Sequence, residues 1–495
     1  MMTSRTPARP RWFSAAPPRH RASPVIRRCV ALVVAAGLAV SSAWAQTSAP
    51  ASPAPQTLTL VQALQYAVAH YPSVRSALEQ VNVSAASVDV ARTAYLPRLD
   101  TLWQTNRATA NNIFGQLLPQ SVIPSISGPV LPSASSQNVW GSAAGALLSW
   151  EPFDFGLRGA AVREAEASVA RARAEETVTE LTVQNAVGTA YLALIHAQQV
   201  VVAAESDAAR RGTLAQAAQT LADNQLRPGA EASRAAAERA AAQTRAIQAR
   251  AGVAIAEATL TQLLGAADGP ITVSTTGLLD DLAANSAEPA AVPHHPLLES
   301  ERAAVDLARA HESVLASTYR PRVYLQSSVF ARGTGANANG EFDGGADGLG
   351  LERANWAAGV QVVFPNLFDF ASVHARRSAA GAATRAETAR LEEATLTVNG
   401  QRRAAEAMVV AARAIAAQTP VELAAARQTE TQARARYDAG LASIVEVAEA
   451  QNLLAQAEYQ EGAAHVDVWR ALLAQAVANG DVAPFLDLLR RSGVQ

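Results

Sequence analysis

The sequence contains no lysine; all 41 of its basic residues are arginine. A phosphate-cradling P-loop and a Schiff-base site both need a lysine amine, so neither chemistry is available. Cysteine occurs once, at Cys29. Aromatics make up 5% of the chain although 49% of it is hydrophobic, and alanine supplies most of that apolar content. Alanine is the strongest helix former but buries little area. Such a composition favours closely packed helices over a thick globular core. Strong charge of one sign is also missing. The 43 acids and 41 bases leave a net charge of −2, which excludes a strongly basic nucleic-acid binder. Beyond residue 45 there is no run of about 18 consecutive apolar residues, so no transmembrane helix is predicted there.

The N-terminus reads as a targeting segment. Residues 1–28 hold seven Arg and no acid, and Cys29–Val40 is an apolar run. Ala43-Trp44-Ala45 places small residues at both positions a signal peptidase reads, so a secretory signal peptide cut after Ala45 is expected. Its removal leaves 34 Arg against 43 acids, a net charge of −9, and no cysteine. Disulfides and thiol chemistry are thereby excluded from the mature chain. Cys29 begins the apolar run instead of ending it, so no lipid anchor is expected. Residues 46–56 form a Pro/Ser/Ala linker.

Proline is absent from Leu157 to Arg227, Gly229 to Gly269, Ala371 to Thr419 and Val421 to Ala483. Proline costs about 3 kcal/mol inside a helix, so these stretches predict long helices. Val183, Ala186, Ala190, Ala193, Ala197 and Val200 follow coiled-coil spacing. So do Val447, Ala450, Leu454, Ala457, Ala464, Val468 and Ala471, with Glu461 interrupting. A helix of about 70 residues is roughly 105 Å long, a length suited to crossing a compartment.

Of 25 aromatics, seven lie in 95–155 and eight in 319–370, and these two stretches carry the strand patterns. Leu99, Thr101, Trp103 and Thr105 alternate with Asp100, Leu102, Gln104 and Asn106, Leu102 being the flaw. Ala358, Val360, Val362 and Phe364 alternate with Gly359, Gln361 and Val363. Strands of about 10 residues with aromatics near their ends fit membrane-spanning hairpins, and Trp103, Trp140, Trp150, Trp356 and Phe364 are the candidate interface residues.

The two halves repeat. Tyr95-Leu-Pro-Arg-Leu99 returns as Tyr319-Arg-Pro-Arg-Val323 and Tyr71-Pro72 as His295-Pro296, both offset by 224. Phe153-Asp154-Phe155 returns as Phe368-Asp369-Phe370, offset by 215. Arg227-Pro228-Gly229 returns as Asp438-Ala439-Gly440. The expected division is a first repeat over 57–280, with a strand hairpin at about 98–150, a long helix 157–227 and a return helix 230–265. The second covers 281–495, with a hairpin at about 322–364, a long helix 371–438, a return helix 443–480 and a C-terminal segment. Four unclosed strands require oligomerisation, because open edges are not tolerated in lipid.

No catalytic constellation is present, and no enzyme activity, cofactor or metal site is expected. His294-His295 stands before Pro296 as a polar helix start, without ligand spacing. The Gly-rich segment 333–340 lacks a lysine, and 343–350 lacks EF-hand spacing. Glu446 and Glu449, three residues apart on one helix face, form either a solvated acidic surface or part of an acidic pore ring that favours cations.

The chain resembles the TolC-like outer membrane factors of Gram-negative bacteria. The matching pieces are 58–72 (LTLVQALQYAVAHYP), 95–99 (YLPRL), 149–156 (SWEPFDFG), 222–232 (ADNQLRPGAEA), 263–265 (LLG), 363–370 (VFPNLFDF) and 437–458 (YDAGLASIVEVAEAQNLLAQAE). One departure is Ala371, where the family pattern has Gly after the aromatic-Asp-aromatic triplet. The resemblance implies a mostly helical fold with membrane β structure. It implies a homotrimer, with long coiled-coil hairpins forming a periplasmic α-barrel and four strands per protomer building a shared 12-strand β-barrel in the outer membrane. It further implies a passive exit duct for a tripartite efflux pump or a type I secretion system. The partners would be a periplasmic adaptor protein, an inner-membrane transporter and outer-membrane lipid, with no nucleic acid. By the same resemblance, Glu446, Glu449 and Tyr437 are the periplasmic gate, Tyr437 being a latch. Arg227, Pro228, Gly229, Gly440, Leu441 and Ser443 are the adaptor-docking tips. The competing reading is a periplasmic adaptor or structural coiled coil. Two long hairpins and paired strand hairpins argue against it, since adaptors carry a single hairpin.

Overall fold

The computed structural model describes residues 57–491 apart from 112–115, 125–133, 135, 266–271, 275–277, 279–293, 338–340, 343–344 and 366–367. The expected signal peptide, its cut after Ala45 and the linker 46–56 lie outside the described residues. In chain order the elements are β1 (Thr57–Leu58), α1 (Leu60–His70), α2 (Pro72–Thr93), β2 (Arg98–Thr109), β3 (Asn138–Phe153), α3 (Leu157–Asp223) and α4 (Gly229–Leu264). They continue as β4 (Thr272–Val273), α5 (Pro296–Ser317), β5 (Arg322–Gly333), β6 (Arg353–Val363), α6 (Phe370–Asp438), α7 (Ile444–Asn479) and α8 (Ala483–Arg491).

The two long helices have 67 and 69 residues, each about 100 Å at 1.5 Å per residue. The first ends at Asp223, short of the expected Arg227, because Asn224–Arg227 form the turn into α4. Helix α6 runs through Pro420. The N–H that Pro420 lacks would have bonded the Ala416 carbonyl; the Thr419 hydroxyl donates to that oxygen instead, at 3.4 Å. Pro72 and Pro296 both sit at the first position of a helix, and the His295 ring nitrogen caps α5 by accepting from Leu297 N at 3.2 Å. On composition alone, α3 and α6 each contain a window apolar enough to cross a bilayer. Uninterrupted runs do not reveal these windows, because alanine spread among polar residues raises the average.

One expectation from composition fails midway along the helices. A compact core gathers Leu60 and Leu64 of α1, Tyr191 and Ile195 of α3, Trp469 and Leu473 of α7, and Phe485 and Leu489 of α8. The alanine stripe of α3 therefore gives way there to burial on most sides, including Val187, Gly188, Leu192 and Leu194. Gly188 lets α7 approach closely: a Cβ there would lie 2.7 Å from Leu473 Cδ2, and that side chain would have to shift. The Tyr191 hydroxyl meets the carbonyls of Leu58 and Ser274 at 2.9 and 2.8 Å, which fixes the parallel β1–β4 pair to this core.

The remaining strands form one antiparallel sheet in the order β2-β3-β5-β6. Two rows cross it in register: Trp103, Ala144, Ala331, Ala354, and Thr101, Ala146, Val329, Trp356. Period two then divides the sheet. The face containing these rows also carries Leu99, Leu148, Leu325, Val360 and Val362, and its charged member is Arg107, stacked over Trp140 at 5.6 Å. The opposite face carries Asp100, Gln104, Asn106, Gln326, Ser328, Arg332, Asn355 and Gln361. Leu102, the flaw in the alternation, lies on that polar face beneath a cluster of Val122, Ile123, Ala143 and Phe330. Among the described residues, β2 and β6 each keep one unpaired edge.

Candidate functional site: the hairpin tips

The far ends of the two helical hairpins lie side by side. At the end of α6 the Leu441 N–H bonds the Arg436 carbonyl at 2.8 Å and Gly440 N bonds the Tyr437 carbonyl at 3.0 Å. This pairing closes the helix and needs a left-handed residue, which Gly440 supplies at φ +74°. Ser443 then caps α7, with Glu446 reaching back to the Ser443 N–H at 3.4 Å. In the first hairpin, Gln225 takes φ +61° and extended Pro228 leads into α4 at Gly229. Leu226 and Leu441 project from the two turns as exposed apolar side chains.

Arg227 of the first tip and Tyr437 of the second meet directly. The guanidinium lies 5.1 Å from the ring centroid and donates to the Tyr437 carbonyl at 3.4 Å. The Tyr437 hydroxyl donates to Glu231 Oε2 at 3.4 Å, and Arg227 pairs with Glu231 at 3.9 Å. Tyr437 is buried with Leu214, Ala215, Ala218, Ala235, Ala442, Ile444 and Val447. Burial, then the adjacent Glu231 carboxylate, raises its phenol above the ordinary value.

Glu446 and Glu449 are both exposed, on the side of α7 away from buried Val447, Ala448 and Gln451. Glu446 is also the capping residue just described and lies 3.8 Å from Arg436. Its Ser-x-x-Glu spacing is a capping-box signature legible in the sequence.

Sequence reasoning missed the polar lock above the tips. Arg211, fully buried on α3, binds Asp207 at 2.8 Å, Glu238 of α4 at 2.8 Å and Asn452 of α7 at 2.6 Å. Beside it, Arg210 forms a two-pronged pair with Glu458 of α7 at 3.0 and 2.7 Å. An arginine at helical spacing from an acid, Asp207 to Arg211, was the available signal.

Four of the five aromatics singled out in sequence lie on the apolar face of the sheet, and Phe364 follows β6 directly. Trp140 stands at the sheet's loop end, and Trp150 and Phe364 at its helix end. Trp103 and Trp356 lie further in along their strands, beside the small residues Ala144 and Ala354 or opposite Val329.

A sheet with one apolar face and open edges, carried on helices about 100 Å long, is the architecture of an outer-membrane channel subunit. The chain belongs to the outer membrane efflux protein family, which matches residues 63–266 and 290–478. The fold is similar to the outer-membrane channel OprN, at 19% identity and a TM-score of 0.69 over 85% of this chain and 89% of that one. It is similar to VceC of Vibrio cholerae at 17% identity and a TM-score of 0.68, covering 85% and 96%. The open-state MtrE channel of Neisseria gonorrhoeae matches at 18% identity and a TM-score of 0.65, covering 86% and 89%. No curated protein sequence matches the chain.

Proposed function

We propose that three copies of this chain close a barrel of 12 strands, four from each, in the outer membrane, and continue as a helical tunnel through the periplasm. The observation that carries this reading is the sheet: one apolar face and two edges, β2 and β6, whose backbone groups require partners in lipid. The tunnel acts as a passive exit duct of a tripartite efflux pump or a type I secretion system, without an energy source of its own. A periplasmic adaptor docks on the tips, Arg227–Gly229 and Gly440–Ser443, whose exposed Leu226 and Leu441 offer apolar anchors. An inner-membrane transporter supplies cargo. Glu446 and Glu449 face the periplasmic mouth, and the Tyr437–Glu231 bond holds the hairpins together when the mouth is shut. Trp140, Trp150 and Phe364 sit at the bilayer boundaries, with Trp103 and Trp356 along the lipid-facing rows. Export of the chain itself uses the signal peptide cut after Ala45.

Planar-bilayer recording tests the proposal. The purified chain should insert as cation-selective pores. Folded protein that never conducts would overturn it.

A further inference from the structure

The two repeats part company where the sheet joins the long helices. In the first, Phe155 and Gly156 adopt left-handed backbone, φ +54° and +104°. That turn brings the Asp154 carboxylate onto Gly156 N at 3.0 Å and onto the Arg158 N–H and Nε at 2.5 and 3.0 Å. Arg158 is buried, donates to the Ala94 carbonyl at 3.1 Å and covers the Tyr95 ring at 4.6 Å. Its side chain fills the corner between α2 and α3.

In the second repeat Ala371 stands where Gly156 would be. An alanine does not readily take φ near +100°, so α6 begins at Phe370 and Asp369 makes no side-chain cap. The counterpart of Arg158 is Val373, too short to fill the corner. A groove of about 720 Å³ opens there between α5 and α6. Its apolar wall is Tyr319, Pro365, Phe370 and Val373, and Arg377 and Arg385 supply cations against one carboxylate, Glu312. Glu312 already accepts from the Thr384 hydroxyl at 3.4 Å. The groove continues the apolar face of the sheet: Phe364 precedes Pro365, and in the first repeat Trp150 of that face donates to the carbonyl of Tyr95, the equivalent of Tyr319, at 3.0 Å.

We infer that this groove binds an anionic glycerophospholipid of the periplasmic leaflet, its phosphate at Arg377 and Arg385 and an acyl chain along Phe370 and Val373. Guanidinium forks suit phosphate oxygens, and the apolar wall suits the chain. The inference rests on the proposed outer-membrane position, which membrane fractionation checks separately.

Native mass spectrometry of the full mature protein, released from nanodiscs containing phosphatidylglycerol or phosphatidylcholine, tests the assignment. The parent should retain phosphatidylglycerol in preference. Val373→Arg, which restores the arginine of the first repeat and so occupies the corner where the acyl chain would lie, should lower retention of both lipids, and the pair Arg377→Ala and Arg385→Ala should lower retention of phosphatidylglycerol at least about tenfold by removing its charge-assisted contacts. Circular dichroism and oligomer mass should not change. Equal retention by parent and variants overturns the inference. So does displacement by millimolar inorganic phosphate, which would mark a free-anion site, or loss of oligomer mass in Val373→Arg, which would mark a contact between copies. Absence of the parent from the outer-membrane fraction defeats the functional reading instead.

Discussion

The guanidinium of Arg227 stacks over the ring of Tyr437 at 5.1 Å, joining the turn of one hairpin to the last helical turn of the other. Arg227 also holds Glu231, which accepts the Tyr437 hydroxyl. Arg227 and Tyr437, about 210 residues apart in the sequence, are one cluster in the fold.

Tyr437→Phe removes the hydroxyl and leaves the ring under Arg227. Resting conductance should rise, with little change in stability beyond the ~1 kcal/mol of one hydrogen bond. Bilayer recordings of the parent and variant decide it; identical resting conductance would assign Tyr437 to packing.

The same bond sets a pH dependence. The folded phenol has its pKa above the ordinary value near 10. Its contribution is therefore full below that ordinary value and is lost as pH rises through the folded one. Resting conductance should be flat from neutral to mildly alkaline pH and climb only beyond about 10. A climb near neutrality would point to a different group.

Glu446 caps α7 and is also the proposed pore charge, so the charge must be tested without removing the cap. Glutamine also serves at the third position of a capping box. Glu446→Gln with Glu449→Gln should keep the fold while weakening cation selectivity and block by divalent cations. Selectivity and block equal to the parent would place both side chains outside the pore.

Gly440→Val places a β-branched residue at φ +74°, at a cost of about 1–2 kcal/mol. The oligomer should still reach the membrane, while export falls because the tip no longer presents its docking surface. Full export at normal protein level would refute the docking role.

Arg211→Met strips the buried lock of its cation. Asp207 keeps Arg245 at 3.2 Å, but Glu238 and Asn452 lose their partner. Breaking a buried pair costs about 3–5 kcal/mol, and the remaining Arg245 puts the expectation at the lower end. A urea midpoint unchanged from the parent would contradict it.

Helix α3 was legible because proline is excluded over its whole length, α6 was legible by the same sign only as far as Thr419, since it carries Pro420 inside it, and the strands were legible because apolar residues alternate. Leu102 broke the alternation for a tertiary reason: the β2–β3 connection packs Val122 and Ile123 onto the polar face. The core around Tyr191 and Trp469 was not legible, since its members come from α1, α3, α7 and α8 and no single segment concentrates them. Tyr437 and Gly440 were found through a motif. Their partners Arg227 and Glu231 are about 210 residues away, and no local pattern records that pairing. The Ala371 departure was visible as a letter; the open groove beside it in the second repeat required the fold.

A closed channel requires the edges of the sheet to find partners in other copies. Light scattering of the detergent-extracted mature protein, corrected for bound detergent, measures this directly. Three protomer masses in a single peak is the expected result. A monodisperse monomer that retains the sheet's circular dichroism would mean that the edges are satisfied without other copies and that no shared barrel forms.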